Sequence, residues 1–516
     1  MQLFVEVRKN TYCDSVLTLL AASVFNEQDG VEKANVAMGT VANKEIFASM
    51  GMSDPAIEAA GDGDLVIAMF ARDKDTFESV LPQLDKVISP QSEDGEHKAS
   101  YATLDKALSD RPDANICLIS VPGEYARAEA EKALNAGLHV MLFSSSVSGE
   151  DELAIKELAR KKGLLCMGPD CGVVNLNGVA FILASINNPG PFGICAASGC
   201  GLQHVAALLH ANGSGISQGI GTGGGDLKAP VYGITMLMGI DALEDDPDTR
   251  YIILVSRKPN EISMKRILDR VSACKKPVII YFMGCEREPI EDAGAIYASS
   301  LDDTAVQAMK LIGKDIEIIS EDELDKMAAE AVKGMAPGQK YVRGLFDGGT
   351  YCDEAIGALS EVLGKVYSNV ASDNELRLKD SLVSVENTCI DYGEEEFTQG
   401  RPHPTLMPEV RLPHVMREGA NEDVAVLLFD FINSPSAPQD ILSGHIQEIR
   451  KAMELARSRG SKLAVVASIC GTDADIQGLD EQRRQLREAG VLLCPTNYTA
   501  ARLAAKIVKL QNGGGK

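Results

Sequence analysis

The stretch FGICAASGCGLQHVAALL, residues 192–209, joins an apolar run, a glycine-rich turn and a segment with helical spacing. The order strand, turn, helix is the repeating element of parallel α/β sheets with right-handed crossovers. Glycine at positions 199 and 201 lets the backbone turn sharply and approach a ligand closely. A second stretch of the same design, YVRGLFDGGTYCDEAIGAL, occupies residues 341–359. Together they predict an α/β protein with parallel sheets.

These strand-to-helix turns are candidate anion sites. The first N–H groups of a helix have no intrahelical partner, and the helix dipole is positive at that end. Phosphate or carboxylate is the matching ligand, although glycines after strands also occur in simple tight turns. A third glycine-rich loop follows the strand-like run GISQGIG. The candidate anion-binding residues are Ser198, Gly199, Cys200, Gly201, Gly223, Gly224, Gly348, Gly349 and Thr350.

None of these loops predicts a nucleotide site. They match neither a Walker A loop nor a complete Gly-x-Gly-x-x-Gly turn followed by its acidic partner, so ATP and NAD are not indicated. At the start of a helix the Cys200 thiol is in a place where its pKa can be lowered. Cys200 is therefore either a covalent nucleophile or a small hydrogen-bonding residue in the turn.

The alternation of strands and helices divides the chain into blocks. A polar run before residue 99, the boundary Pro189-Gly190-Pro191 and the charged segment from Glu321 to Lys340 separate them. The predicted blocks are an N-terminal α/β subdomain (1–98), two parallel α/β domains (99–188 and 189–320), a linker (321–340) and a last α/β domain (341–510).

Composition limits the class of partner. The formal net charge is −24, which argues against nucleic-acid or anionic-membrane binding, and no run approaches the roughly 20 apolar residues of a membrane span. The 12 cysteines are too sparse for a disulfide scaffold, and the two Cys-x4-Cys spacings do not suit zinc. MQLFVEVRKNTY is not a signal peptide. We expect a soluble, reduced, cytoplasmic protein without a metal site.

The stretch PIEDAGAIYASS, residues 289–300, follows a predicted strand and offers carboxylates but no nucleophile. Asp292 either takes part in chemistry or caps a helix that the pattern predicts from Ala293 onward.

With these motifs in view, residues 101–319 resemble the α subunit of succinyl-CoA synthetase. The matching stretches are GPDCGVV, PGPFGICAASGCGL, SGISQGIGTGGGDL and DAGAI. The last block resembles the C-terminal domain of the β subunit, whose phosphate-binding turn falls on Gly348 and Gly349. The resemblance implies a Rossmann-like CoA-binding domain at 99–188 and flavodoxin-like ligase domains at 189–320 and 341–510. It also puts Asp292 where that family has its phosphorylated histidine.

Two parts of the ligases have no counterpart in this sequence. No ATP-grasp module is present, and VRKNTYCDSV stands where the ligases have a glycine-rich nucleotide turn. The sequence therefore predicts neither a phosphohistidine nor bound coenzyme A.

Over nearly its whole length the chain resembles the FdrA family. The signatures include VAMGTVANKE, LFSSSVSGEDELAIK, RGLFDGGTYCDEA, DYGEEEFTQGRPHP and ICGTDAD. The resemblance implies a subunit of oxamate carbamoyltransferase in allantoin and purine breakdown, active with two other subunits. Phosphate would attack oxalurate and release carbamoyl phosphate and oxamate.

That resemblance also favours a role for the FTQGRPHP loop. Arg401 is predicted to grip a substrate carboxylate and His403 to carry a proton, unless the loop is a lid with locally paired charges. Two other functions stay open. One is an acyl-CoA ligase that acts with a separate ATP-grasp chain, and the other is a non-catalytic, possibly homo-oligomeric, anion-binding scaffold.

Overall fold

The computed structural model forms two compact units, which comprise residues 1–107 with 395–402, and residues 108–394 with 403–516. It describes residues 1–9, 11, 13, 15–26, 28–88, 101, 103–398 and 402–513.

The first unit contains a three-stranded antiparallel sheet in the order β1-β3-β2. Its elements are β1 (Gln2–Arg8), α1 (Ser15–Asn26), β2 (Val31–Met38), α2 (Val41–Ser49), α3 (Pro55–Glu58), β3 (Leu65–Ala71) and α4 (Lys74–Ile88). The central strand β3 has the sequence LVIAMFA, and six of its seven residues are buried. A continuous apolar run is typical of a strand covered on both faces.

The second unit begins with a three-stranded parallel sheet in the order β4-β5-β6. Its elements are β4 (Ile116–Ile119), α6 (Gly123–Asn135), β5 (His139–Leu142), α7 (Gly149–Lys162) and β6 (Cys166–Met167), preceded by α5 (Leu104–Asp110), which crosses the boundary between the units. Local sequence signals mark both ends of α7. Ser148 accepts a hydrogen bond from the Asp151 N–H at its start, and Gly163 takes the left-handed conformation at its end.

A seven-stranded sheet follows, in the order β13-β12-β11-β9-β10-β7-β8. It is parallel except for the edge hairpin β7–β8. Its elements are β7 (Val173–Leu176), β8 (Val179–Ile182), β9 (Pro189–Ala196), α8 (Gly199–Ala211), β10 (Ile216–Gly221), α9 (Ile234–Asp245), β11 (Tyr251–Ser256), α10 (Glu261–Val271), β12 (Val278–Phe282), α11 (Arg287–Asp292), β13 (Ile296–Tyr297) and α12 (Leu301–Leu311).

The helix predicted from Ala293 onward is wrong. Helix α11 ends at Asp292, Ala293 is its C-cap, and Gly294 turns the chain with a φ of +80° into strand β13. Pro289 is compatible with the first turn of α11, because the N–H groups there have no helical partner. Asp292 therefore ends a helix and does not cap the start of one.

The last sheet has six parallel strands in the order β15-β16-β14-β17-β18-β19. Its elements are α13 (Glu321–Ala331), β14 (Tyr341–Phe346), α14 (Gly349–Leu363), β15 (Tyr367–Ser368), β16 (Thr388–Asp391), α15 (Glu395–Thr398, in the first unit), a 3-10 turn (Pro408–Val410), α16 (Leu412–Gly419), β17 (Val424–Ile432), α17 (Ser443–Ser458), β18 (Ala464–Cys470), α18 (Leu479–Glu488), β19 (Leu492–Cys494) and α19 (Asn497–Gln511). The predicted α/β class with parallel sheets is confirmed.

A buried polar network joins four helices of the two larger sheets. His204 Nε2 lies 2.8 Å from Asp302 Oδ1, and the Thr496 hydroxyl donates to Asp302 Oδ2 at 2.7 Å. The Asn497 side chain donates to Glu354 Oε2 at 2.8 Å. Helices α8, α12, α14 and α19 thereby share one core, which fixes the starts of α8 and α14 relative to each other.

Within the residues that the structure describes, no helix has the length and apolar character needed to cross a bilayer.

Candidate functional site

The starts of helices α8 and α14 meet. Ser198 precedes α8, Thr350 lies in the first turn of α14, and their hydroxyl oxygens are 2.8 Å apart. Ser198 also accepts a hydrogen bond from the Gly201 N–H at 2.9 Å, so it caps its own helix. The positive ends of two helix dipoles therefore face one small region of the second unit.

A carboxylate of the protein already occupies part of this region. Asp430 accepts hydrogen bonds from the backbone N–H groups of Asp347 and Gly348, both at 2.9 Å. The buried Arg411 guanidinium donates to Asp430 Oδ1 at 2.8 Å. The N–H of Gly348 is therefore taken, and a ligand would meet the first-turn amides of Gly349 and Thr350 instead.

The glycines at the helix starts allow close packing. A Cβ at Gly348 would lie 2.9 Å from Cys200 Sγ, and one at Gly201 would lie 2.7 Å from Val255 Cγ1. Gly199 is part-exposed and leaves its backbone accessible. Gly348 is thus required by the meeting of α8 and α14, and Gly201 by the packing of α8 against strand β11.

The third glycine-rich loop has a different explanation. Gly223 has a φ of +83°, and a Cβ there would lie 2.2 Å from the Pro169 carbonyl oxygen. A Cβ at Gly225 would lie 2.2 Å from Glu152 Oε2. Only Gly224, which is exposed, has open space around its Cα in this loop. Packing against neighbouring segments is a sufficient reason for Gly223.

Of the three sequence candidates for catalysis, the structure describes Asp292 and His403, which lie on different segments of the fold. Asp292 is exposed at the C-terminal end of α11, where the helix dipole is negative. Arg401 lies outside the described residues. His403 does reach the region, because a Cβ at Gly393 would lie 2.7 Å from His403 Nε2 and 3.0 Å from Asp391 Oδ1.

His403 is a neutral imidazole in this setting. Burial lowers the pKa of His403 to about 4. Its Nδ1 accepts a hydrogen bond from the Thr405 N–H at 3.3 Å, which places the proton of the neutral ring on Nε2. The ring presents a fixed donor beside Asp391.

Two residues that the sequence analysis did not single out lie at the centre of the region. Arg257 follows strand β11 and Asp391 ends strand β16. A Cβ at Gly349 would lie 2.5 Å from Asp391 Oδ2 and 2.8 Å from Arg257 Nη2. Both stand at the carboxyl ends of parallel strands, where ligands of such sheets bind, and this position is the signal that could have found them.

The electrostatics of the region follow from burial. Burial raises the pKa of Asp391 well above its usual range, although the Gly393 N–H and Arg257 oppose the effect. Burial also raises the pKa of Asp353, which pairs with Arg257 Nε at 2.5 Å. Both shifts make the carboxyl groups of this region harder to ionise than exposed ones.

Cys200 is not an activated nucleophile. Desolvation raises the pKa of the Cys200 thiol, and the nearby Asp430 and Asp391 raise it further. The lowered pKa that a helix start can produce is therefore absent, because burial of the thiol dominates its pKa.

Comparisons with known proteins agree with this architecture. Residues 345–507 match the CoA-ligase domain family, and residues 1–103 match a family described as AllF, heavy metal-associated domain. The chain is 38% identical over 509 residues to "Uncharacterized protein YahF" of Escherichia coli (strain K12), which covers 98% of this chain and 99% of that protein.

The chain belongs to the YahF family. It is also 26% identical over 195 residues to the succinate–CoA ligase [ADP-forming] subunit alpha of Methanothermobacter thermautotrophicus, covering 37% of this chain and 65% of that subunit. Among solved structures, the ATP citrate lyase of Methanothrix soehngenii in complex with citrate and coenzyme A is 14% identical, with a TM-score of 0.36, over 81% of this chain and 86% of that one.

These findings correct the functional expectation. The resemblance to succinyl-CoA synthetase subunits is confirmed, and this YahF-family chain is a CoA-ligase-like protein. The expectation of a carbamoyltransferase is wrong, because the relatives with named activities are CoA ligases, such as the alpha subunits of succinate–CoA and malate–CoA ligases. The FdrA assignment finds no support in these comparisons.

The N-terminal domain does not fit a heavy metal despite the name of its family. Residues 1–103 contain a single cysteine, Cys13, so no pair of thiolates is available for a soft metal ion. The described residues hold no group of three His, Cys, Asp or Glu side chains arranged to bind a metal. The Cys13 N–H instead lies 3.4 Å from Met38 Sδ inside the unit.

Proposed function

We propose that this YahF-family chain transfers an acyl group between a CoA thioester and phosphate at the meeting point of α8 and α14. The nucleotide step would belong to a separate ATP-grasp chain. Support comes from the match of residues 345–507 to CoA-ligase domains and from the alpha-subunit similarity of the preceding domains. The single observation that carries the proposal is the 2.8 Å contact between Ser198 and Thr350, which joins the two helix starts.

The region offers what this exchange requires. First-turn N–H groups of Gly349 and Thr350 would stabilise charge on the thioester oxygen, and such donors are each worth about 3 kcal/mol of barrier. Arg257 would hold the phosphate, because a guanidinium pairs well with phosphate oxygens. The exposed Lys228 and Lys258, on loops after β10 and β11, would hold the phosphates of coenzyme A.

The bond changes are simple. A phosphate oxygen forms a bond to the thioester carbon, the carbon–sulfur bond breaks, and an acyl phosphate results. The proton of the phosphate ends on the CoA sulfur, so hydrogen phosphate and acyl-CoA give acyl phosphate and CoA without an oxidant or a nucleotide. No covalent intermediate on the protein is required.

Arsenolysis tests the proposal without the ATP-grasp chain. Arsenate replaces phosphate, its acyl product hydrolyses at once, and the consumption of succinyl-CoA then becomes irreversible. We expect the purified chain to consume succinyl-CoA only when arsenate is present, measured as loss of thioester absorbance and as free CoA by chromatography. Failure of the folded chain to accelerate this reaction would overturn the proposal.

Gly349 provides a matched pair of variants. In Gly349→Ala the new methyl group would enter the space between Asp391 Oδ2 and Arg257 Nη2. We expect the arsenolysis rate to fall about 100-fold, which corresponds to the loss of roughly one donor contact. Gly357→Ala on the same helix meets nothing within 4 Å and serves as the control with an unchanged rate. Equal rates for both variants would contradict the assignment of Gly349.

Phosphohistidine formation is a further point of difference from the ligases. Since the resemblance to the ligases puts Asp292 at the position of their phosphorylated histidine, and Asp292 is exposed at the end of α11, we expect no stable phosphoryl group on this chain. The chain is incubated with γ-phosphate-labelled ATP and separated by electrophoresis, with a succinate–CoA ligase alpha subunit plus its partner as the positive control. Stable label on this chain would refute the expectation.

A further inference from the structure

We infer that Asp391 is the catalytic group that carries the proton from phosphate to the CoA sulfur. The inference rests on the proposed function and names the residue that performs its proton transfer.

The placement of Asp391 is fixed by the sheet. It pairs with Phe346 across the parallel strands β16 and β14, so its Cα lies level with the end of the strand that leads into α14. The Asp391 backbone N–H donates to Asn369 Oδ1 at 3.0 Å, and the Asn369 side chain donates back to the Asp391 carbonyl at 2.9 Å. The carboxyl group is therefore carried on a rigid element.

One oxygen of this carboxyl group is held and the other is available. Oδ1 accepts a hydrogen bond from the Gly393 N–H at 2.8 Å. Oδ2 has no hydrogen-bond partner among the residues that the structure describes, although Asp391 is only 3% exposed. Oδ2 is not among the buried side-chain atoms that lack a partner in the described residues, so it keeps contact with solvent beside the start of α14, where an entering ligand can reach it.

Two chemically different groups, the Asp391 carboxyl group and the Arg257 guanidinium, lie close to Gly349 at the start of α14. A Cβ at Gly349 would meet Asp391 Oδ2 at 2.5 Å and Arg257 Nη2 at 2.8 Å. Arg257 is itself 45% exposed, so its guanidinium is open to an entering anion. Arg257, which would hold phosphate, therefore faces the Asp391 carboxyl group across Gly349. Because residue 349 is a glycine, it places no side-chain atom between them.

The charged and titratable groups around Asp391 come from every element that packs near it. They are Glu394 after β16, Asp347 after β14, Asp353 of α14, Asp430 of β17, Arg257 after β11 and His403 beside Gly393. Burial raises the pKa of Asp391, Glu394 and Asp430 raise it further, and the Gly393 N–H and Arg257 lower it, with a net rise. A raised pKa favours the neutral carboxyl, which is the form that can donate a proton.

The step balances with Asp391 as a relay. The Oδ2 proton moves to the CoA sulfur as the carbon–sulfur bond breaks. The proton that arrived with hydrogen phosphate then moves to the Asp391 carboxylate, which by then has given its own proton to the sulfur. The carboxyl group is neutral again at the end, and the net reaction remains acyl-CoA plus hydrogen phosphate to acyl phosphate plus CoA.

The test compares Asp391→Asn with wild type in succinyl-CoA arsenolysis across pH. Asparagine keeps the shape but cannot relay a proton, so we expect kcat to fall about 100-fold, within the range of general acid–base catalysis, while KM for arsenate stays within about threefold. Wild-type activity should decline as pH rises through the pKa of Asp391, and the asparagine variant should lack this decline. Asp269→Asn, at an exposed carboxylate paired with Lys265, is the control with wild-type rate and pH profile.

The outcomes separate the two proposals. An inactive wild-type chain overturns the proposed function. An active wild-type chain with an unchanged Asp391→Asn rate, or with an alkaline decline that persists in that variant, overturns only the role of Asp391. Circular dichroism of the variant shows whether a lost rate reflects a lost fold, and in that case Asp391→Glu, which keeps the titrating group, must restore the alkaline decline or the inference fails.

Discussion

Replacing Arg411 by methionine is expected to destabilise the second unit by about 3–5 kcal/mol, the range for breaking a buried ion pair by removing one partner. Arg411 is fully buried and donates from Nη1 to Asp430 Oδ1 at 2.8 Å and to the Leu345 carbonyl at 2.9 Å. Its Nη2 lies 3.0 Å from Asp347 Oδ2. Methionine fills similar volume but leaves two buried carboxyl groups without their cation.

The loss of stability caused by Arg411→Met should depend on pH. Burial raises the pKa of Asp347 to about 7, although Arg411 lowers it, and burial also raises the pKa of Asp430. A raised folded pKa means stability that is present at low pH and lost as pH rises through about 7. Without Arg411 the pKa values of Asp347 and Asp430 rise further. The variant should therefore be destabilised more at about pH 8 than at about pH 5.

Urea unfolding at the two pH values, followed by far-ultraviolet circular dichroism, measures this difference. The control is Arg287→Met, because Arg287 is 63% exposed and its pair with Glu291 is a surface pair of little weight. A loss for Arg411→Met that is equal at both pH values, or no greater than that of the control, would show that the buried carboxyl groups do not depend on Arg411.

Lys156→Met is expected to have an effect of similar size, about 3–5 kcal/mol. The Lys156 ammonium is fully buried and lies 2.8 Å from both Glu152 Oε1 and Asp226 Oδ1. It also donates to the Thr222 carbonyl at 2.9 Å. Burial lowers the pKa of Lys156, but the two carboxylates outweigh it and the net pKa is raised, so the group is charged.

This cluster joins helix α7 to the third glycine-rich loop. Asp226 accepts hydrogen bonds from the backbone N–H groups of Thr235 at 3.0 Å and Met236 at 2.9 Å, so it also caps the start of α9. Loss of the lysine would leave Asp226 and Glu152 as unbalanced buried acids. The effect should therefore reach the packing of the three-stranded sheet on the seven-stranded one.

Two further variants make the test specific. The triple variant that adds Asp226→Asn and Glu152→Gln to Lys156→Met should regain part of the lost stability, because it removes the unpaired charges. Lys265→Met removes an exposed lysine of α10 and should leave the urea midpoint unchanged. A Lys156→Met variant as stable as Lys265→Met would contradict the importance of the cluster.

Much of the fold was predictable because its signals are local. Apolar runs followed by helical spacing located strands β9 and β14, and a serine N-cap and a left-handed glycine are local signals at the two ends of α7. Local signals failed at residues 287–296, where Pro289 favours an early helix start and Gly294 ends the helix before the predicted one begins.

The site was predictable only in outline. Sequence periodicity determined that helices start after Ser198 and Gly348, because a helix start is specified by a few adjacent residues. The tertiary structure decided that Ser198 meets Thr350, 152 positions away, and that Asp391 and Arg257 flank Gly349. It also decided that Asp430 takes the Gly348 amide. Some of these contacts join adjacent strands of the six-stranded sheet and others join that sheet to the seven-stranded one, so only the packing of the whole unit sets them.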